Sequence, residues 1–142
     1  MTHDLDRFVE AQFGGYDSVL AELRRGQKTG HWIWYIFPQL AGLGRSEMSR
    51  FYGIASLDEA KAYLAHPMLG PRLRECAAAV QSVTGRTATE IMGPTDAMKL
   101  RSSVTLFHRA APDEPVFREV LVRYYDGVAD SRTDALLGLV PG

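Results

Sequence analysis

The sequence predicts an all-α protein: one compact domain over residues 1–142, built of about seven short helices, one of them aromatic-rich and buried. Three observations carry that prediction. Apolar residues recur three and four apart along nearly the whole chain, the spacing of a single helical face. A serine or threonine stands three residues before a glutamate at Ser56–Glu59 and at Thr87–Glu90, the form of a helix-opening capping box. Pairs such as Gly14-Gly15, Gly70-Pro71 and Gly93-Pro94 break the pattern at short intervals, with no repeat or long linker between them.

Taken in order, Leu5, Phe8, Val9 and Phe13 share a helical face, with Asp4 placed to cap it and Gly14-Gly15 to stop it. Tyr16, Val19, Leu20 and Leu23 line a second helix. Its Asp17 near the start and Arg24, Arg25 and Lys28 near the end suit the helix dipole. The stretch from Lys28 to Gly44, KTGHWIWYIFPQLAGLG, holds both tryptophans, and its bulky residues also suit a strand. A lone strand would leave its backbone without partners. The expectation is therefore a short buried helix ending at Phe37, because Pro38 disfavours helical geometry in the residue before it.

Ser46 is placed to cap a short helix through Phe51 and Tyr52. Ser56 opens one that buries Leu57, Ala60 and Leu64 and ends at His66-Pro67. Gly70-Pro71 starts the next, with Leu73, Cys76, Ala77, Val80 and Val83 inside. Thr87–Glu90 caps one turn around Ile91 and Met92, and Gly93-Pro94-Thr95 leads into a helix from near Asp96 to Phe107. Asp113-Glu114-Pro115 opens a helix with Phe117, Val120, Leu121 and Tyr124 inward, closed by Asp126-Gly127. A last short helix is expected from Thr133 to Leu139.

Composition bounds the function. A chain of this length can bury a core without disulfides or metal. An apolar share of 46% and a charged share of 23% are those of an ordinary globular protein. With a formal net charge of -1, neither nucleic acid nor an anionic membrane is an expected partner. Cys76 is the single cysteine, so it has no intramolecular disulfide partner and no cysteine cluster to hold zinc. The opening residues MTHDLDRF are acidic and lack a signal peptide's apolar core. The run Trp32 to Phe37 is too short to span a bilayer. The expected setting is cytoplasmic and reducing.

Two stretches hold candidate chemistry. On the helix from Asp96, at about 100° per residue, Ala97, Leu100, Val104 and Phe107 make an apolar arc. Asp96, Lys99 and Ser103 fall on its flank, and Arg101, Ser102 and Thr105 point toward the far side. A carboxylate, an ammonium and a hydroxyl at the border of a core interact strongly and shift in pKa. The plainer and commoner outcome is an Asp96–Lys99 ion pair along the helix, with Ser103 hydrogen-bonded back to its own backbone.

In the aromatic stretch, His31 is a candidate base or phosphate ligand beside Lys28, or simply an anchor for the start of the helix. Trp32 and Trp34 are candidates to stack a ring, or core alone. Gln39 has an amide that reads a donor–acceptor edge of a ligand or pins the following loop. No set of His, Asp and Glu has metal-site spacing, so neither a metal nor another cofactor is expected. Gly42-Leu43-Gly44 is not followed by the residues of a P-loop, and Ser102-Ser103 lacks the glycines of a nucleophile elbow. Cys76 reads as a small core residue, and His66 as a helix terminator. His3 and His108 have no assigned partner.

The runs GQKTGHWIWYIFPQLAGLGRS, YGIASLDEAKAYLAHPMLGPRL, DAMKLRSSVTLF and VLVRYYDGVADSRTDALL, in this order over nearly the full chain, resemble the bacterial and fungal family called domain of unknown function 1810. The resemblance implies a small, mostly helical domain. It supplies no catalytic residues, because the family has no established activity. The calpastatin label sometimes given to such proteins has no support in this sequence. That inhibitor is a disordered repeat protein, and this composition is that of a packed core.

Both stretches singled out above fall within the blocks that carry the resemblance, so Lys28 to Gln39 and Asp96 to Phe107 are expected to meet in one site. Three functions follow as alternatives. The first is binding of a small anionic ligand such as a nucleotide or an ADP-ribose-type compound. Lys99, His31 and Lys28 would hold phosphate, with Ser103 beside them; Trp32 or Trp34 would stack a ring, Gln39 would read an edge, and Asp96 would act as acid or base. The second is a non-catalytic protein-interaction module that docks through the aromatic stretch. The third is a purely structural role for the same residues. Turnover and oligomeric state stay open.

Overall fold

Polar caps decide where several of the helices begin. In the computed structural model, which describes residues 4–139, the Ser46 hydroxyl accepts from the Ser49 amide at 3.1 Å and Asp130 accepts from the Thr133 amide at 2.9 Å. Thr87 and Glu90 form the full reciprocal box, at 3.1 and 2.8 Å. Each such cap satisfies a backbone donor that a helix start otherwise leaves bare. His3 lies outside the described residues.

Ten helices follow one another among the described residues: α1 (Asp6–Gln12), α2 (Tyr16–Arg24), α3 (Ile33–Ile36), α4 (Glu47–Phe51), α5 (Leu57–Ala65), α6 (Leu69–Gln81), α7 (Ala88–Met92), α8 (Pro94–Ala110), α9 (Pro115–Tyr125) and α10 (Ser131–Leu136). The fold is all-α, as the periodicity predicts. The count of ten includes α3, α4 and α7, of one turn or little more, each of which the sequence marks as a short helix. No described segment forms a strand. A single parallel bridge joins Leu40 to Ile54, with Ala41 donating to the Ile54 carbonyl and the Ile54 amide to that of Gln39, both at 2.8 Å. None of the described helices is long and apolar enough to cross a membrane.

Several local expectations need correction. Ser56 accepts from the Glu59 amide, but the box is not reciprocal. The Glu59 carboxylate accepts from the Ala55 amide instead, at 2.8 Å, and from Arg7 at 3.3 Å. Helix α1 has Leu5, not Asp4, at its cap position, with no side-chain cap. Phe13, expected inside, is 89% exposed. The helix ends at Gln12, and it is Gln12 that turns inward, donating to the Tyr35 carbonyl at 2.8 Å. The last helix begins two residues earlier than expected, because Asp130 rather than a later residue caps it.

Helix α8 is the axis of the core, packed against α3, α5, α7, α9 and α10. A column of rings passes beside it. Phe8 meets Tyr63 edge-on at 5.1 Å, Tyr63 meets Phe107 at 5.4 Å, and Phe107 meets Phe117 at 5.9 Å. Pairs of this kind contribute about 0.5–1.5 kcal/mol each beyond the area they bury. The aromatic stretch forms the expected short helix, with Trp32, Ile33, Ile36 and Phe37 buried and Trp34 and Tyr35 half-buried.

Candidate functional site

A buried carboxylate holds the entry to the aromatic stretch. Glu22, on α2, accepts from the Thr29 amide at 2.6 Å, the Gly30 amide at 2.9 Å and the Trp32 indole N–H at 3.0 Å. Burial pushes its carboxyl up, but these hydrogen bonds outweigh that and hold it below the ordinary carboxylate value. Gly30 is required by close approach: a Cβ there would stand 2.8 Å from Trp32 Cδ1 and 3.3 Å from Glu22 Oε2. Sequence reasoning did not mark Glu22, because a lone glutamate in an amphipathic helix reads as solvated.

Directly after this lock, Lys28 reaches α8. Its ammonium lies 2.8 Å from the Asp96 carboxylate, donates to the Gly30 carbonyl, and sits 4.8 Å from the centre of the Trp32 ring. The helix-surface pair between Asp96 and Lys99 is not made. Asp96 turns across to Lys28, and Lys99 lies over the face of Trp34, 4.7 Å from the ring centre. The aromatic stretch and α8 therefore meet, with Lys28–Asp96 and Trp34–Lys99 as their contacts.

Beside them opens a cavity of about 210 Å³. Gln39 and Leu43 come from the end of the aromatic stretch, Met98, Lys99, Arg101 and Ser102 from α8, and Asp130 and Arg132 from the start of α10. The Gln39 amide N–H donates to Ser102 Oγ at 2.7 Å, while Ser102 Oγ lies 3.1 Å from the Lys99 carbonyl and 3.3 Å from that of Met98.

Three cations and one carboxylate line this cavity. The carboxylate is already committed: Asp130 Oδ2 accepts from the Thr133 amide and, at 2.6 Å, from its hydroxyl. Arg101 donates to the carbonyls of Val128 and Ala129 at 3.0 and 3.4 Å, and Arg132 to that of Leu43 at 3.4 Å. Hydrogen bonds to neutral groups cancel neither the guanidinium charges nor that of Asp130, and three positive charges against one negative leave the cavity with positive potential. By contrast, the more open hollow bounded by Lys61, Arg74, Asp113 and Glu114 balances its charges, and Arg74 donates to Glu114 at 2.7 Å.

Of the residues singled out by sequence, Gln39 and Lys99 line the cavity, and half-buried Trp34 lies under Lys99. Lys28 and Asp96 are taken up by their ion pair and do not line it. Trp32, 3% exposed, is a core residue. His31 is exposed and lies outside the cavity wall. Ser103 is fully buried, and its hydroxyl has no hydrogen-bond partner, not even the backbone bond expected of it.

Arg101, Ser102, Asp130 and Arg132 are the cavity residues that sequence reasoning passed over. Ser102 seemed to face away because a helical wheel assumes one wet side. Here α10 and the chain before it cover that side, with the Asp130 amide donating to Thr105 at 2.9 Å, and every residue from Ser102 to Phe107 is buried. Among the described residues, no group of three or more His, Cys, Asp or Glu side chains gathers as a metal site requires.

The comparisons with known proteins agree with this architecture. The model of the family described as "protein of unknown function (DUF1810)" matches residues 2–137. The chain is similar in structure to the crystal structure of the conserved hypothetical protein Rv1873 from Mycobacterium tuberculosis. The two share 54% sequence identity and superpose with a TM-score of 0.94, over 96% of this chain and 98% of the other. No match was found among curated proteins. With the four sequence blocks, the all-α architecture and the family match all in agreement, the chain belongs to the DUF1810 family of proteins of unknown function.

Proposed function

We propose that the cavity between the end of the aromatic stretch and α8 binds a small anionic ligand, a class that includes nucleotides and ADP-ribose-type compounds. One observation carries the reading: Lys99, Arg101 and Arg132 face a single cavity in which, among the described residues, the one carboxylate is Asp130, the cap of α10. Guanidinium groups favour planar or tetrahedral oxyanions, and the ammonium of Lys99 adds a point charge beside them. Gln39 supplies a polar group that selects orientation. The reading concerns binding, and is set in the cytoplasm expected from composition. Docking of a protein through the aromatic stretch draws less support, because four of its bulky residues are buried and Trp34 lies under Lys99.

The test uses the tryptophans. Lys99 lies on Trp34, so an anion that draws the ammonium away changes the ring's surroundings and its emission. Titration with phosphate, phosphate esters, nucleotides and ADP-ribose is expected to give a saturable change for at least one anion. That change should weaken about tenfold or more in Arg132→Gln. A flat response by both fluorescence and calorimetry across the panel would sink the proposal.

A further inference from the structure

Resting on the anionic-ligand reading, we infer that the ligand is a small hydroxylated phosphomonoester with a non-aromatic skeleton, rather than a nucleotide. Size, wall chemistry and one free acceptor lead to this class.

The cavity holds about 210 Å³, below the roughly 300–1,000 Å³ of pockets that enclose drug-sized ligands. Among the described residues, no aromatic ring lines it. Trp32 is in the core, and the face of Trp34 that looks toward α8 is covered by the Lys99 ammonium. A nucleobase would therefore meet a ring only by taking the place of that ammonium, the same cation the phosphate needs. The apolar part of the wall comes from Leu43 and Met98, both aliphatic.

Charge selects the head group. Two guanidinium groups and an ammonium outnumber the charge on a monocarboxylate, whereas a phosphomonoester offers close to two negative charges and three acceptor oxygens. Gln39 selects what the phosphate is attached to. The Ser102 hydroxyl has a single proton, which the Lys99 and Met98 carbonyls take, so it can only accept from the Gln39 amide. That fixes the Gln39 NH₂ toward Ser102 and leaves its Oε1 as an acceptor with no donor among the described residues. A ligand hydroxyl is the donor that fits it.

The experiment is calorimetric titration of the full chain with inorganic phosphate, glycerol phosphate, ribose 5-phosphate, malate, AMP and ADP-ribose. It is repeated with Arg132→Gln and Gln39→Leu. The expected order places a hydroxylated phosphomonoester at least tenfold tighter than malate, AMP or ADP-ribose. Arg132→Gln should weaken all phosphate compounds alike. Gln39→Leu should remove the advantage of the hydroxylated esters over inorganic phosphate. Circular dichroism confirms that both variants are folded. AMP, ADP-ribose or malate binding as tightly as the small esters would overturn this inference while leaving the anion reading intact. So would an ester advantage that survives Gln39→Leu. Absence of binding by every anion would overturn both.

Discussion

Lys28 Nζ and Asp96 Oδ2 lie 2.8 Å apart, and this contact fastens the aromatic stretch to the first turn of α8. Only 6% of the Lys28 side chain and 20% of that of Asp96 are exposed. Removing one partner leaves a desolvated charge behind, so Asp96→Ala is expected to cost about 2–4 kcal/mol, tempered by the remaining exposure of Asp96. Lys28→Met combined with Asp96→Leu should recover at least half of the summed single losses. Urea unfolding of the parent, Lys28→Met, Asp96→Leu and the double variant measures this, and simple additivity would show that the pair is not coupled.

Glu22 gives a prediction in pH. Its carboxyl is held below the ordinary value by the Gly30, Thr29 and Trp32 donors, against the opposing effect of burial. A depressed folded value means that the unfolded chain takes up the proton first as pH falls. The stabilisation is thus complete above the unfolded carboxylate value of about 4.3 and drains away as pH drops toward the folded one. Glu22→Gln keeps the shape but loses the charge on three hydrogen bonds, at an expected cost of about 1.5–3 kcal/mol near neutral pH. Its stability should then vary less with acid than that of the parent, and parallel acid profiles would refute the assignment.

Ser103 tests the reading of α8 from the other side. Its buried hydroxyl has no partner, so Ser103→Ala removes a desolvation penalty and leaves a void of only one oxygen atom. The expected result is no loss of stability, or a gain of up to about 1 kcal/mol, with anion binding unchanged. A loss larger than that would reveal a hydrogen bond the hydroxyl makes in solution.

Cys76 is fully buried on α6, and burial, outweighing the lowering effect of its contact with the Tyr16 hydroxyl, pushes its thiol up to about 12. A thiol held protonated and out of solvent reacts slowly. Labelling by a thiol-specific disulfide reagent at pH 8 should therefore follow the unfolding equilibrium, accelerating with urea. Rapid stoichiometric labelling of the native protein would contradict this.

The parts of the fold readable in the sequence were those set by local chemistry. Ser46, Thr87–Glu90 and Pro115 mark helix starts because caps and prolines act within a few residues of themselves. Pro38 likewise ends the aromatic helix where its ring forces the preceding residue out of helical geometry. What stayed hidden was set by distant chain. Asp96 chose Lys28 over Lys99 because folding brought a desolvated ammonium to the start of α8. Ser102 came to the cavity wall and Ser103 into the core because α8 is enclosed on several sides over its second half. Arg101 and Arg132 became cavity residues only when residues 126–130 returned to α8. A linear pattern carries no record of such returns.

The bridge between Leu40 and Ile54 has a consequence for variation in the chain. Its two hydrogen bonds pinch together the ends of the excursion that holds α4, a helix with no buried residue. The Gln39 carbonyl is one of the pinned groups, so the amide that faces the cavity is anchored on the near side of that knot. Exposed positions of that excursion such as Glu47 and Arg50 can accordingly vary, while the side chain beyond the pinch keeps its place.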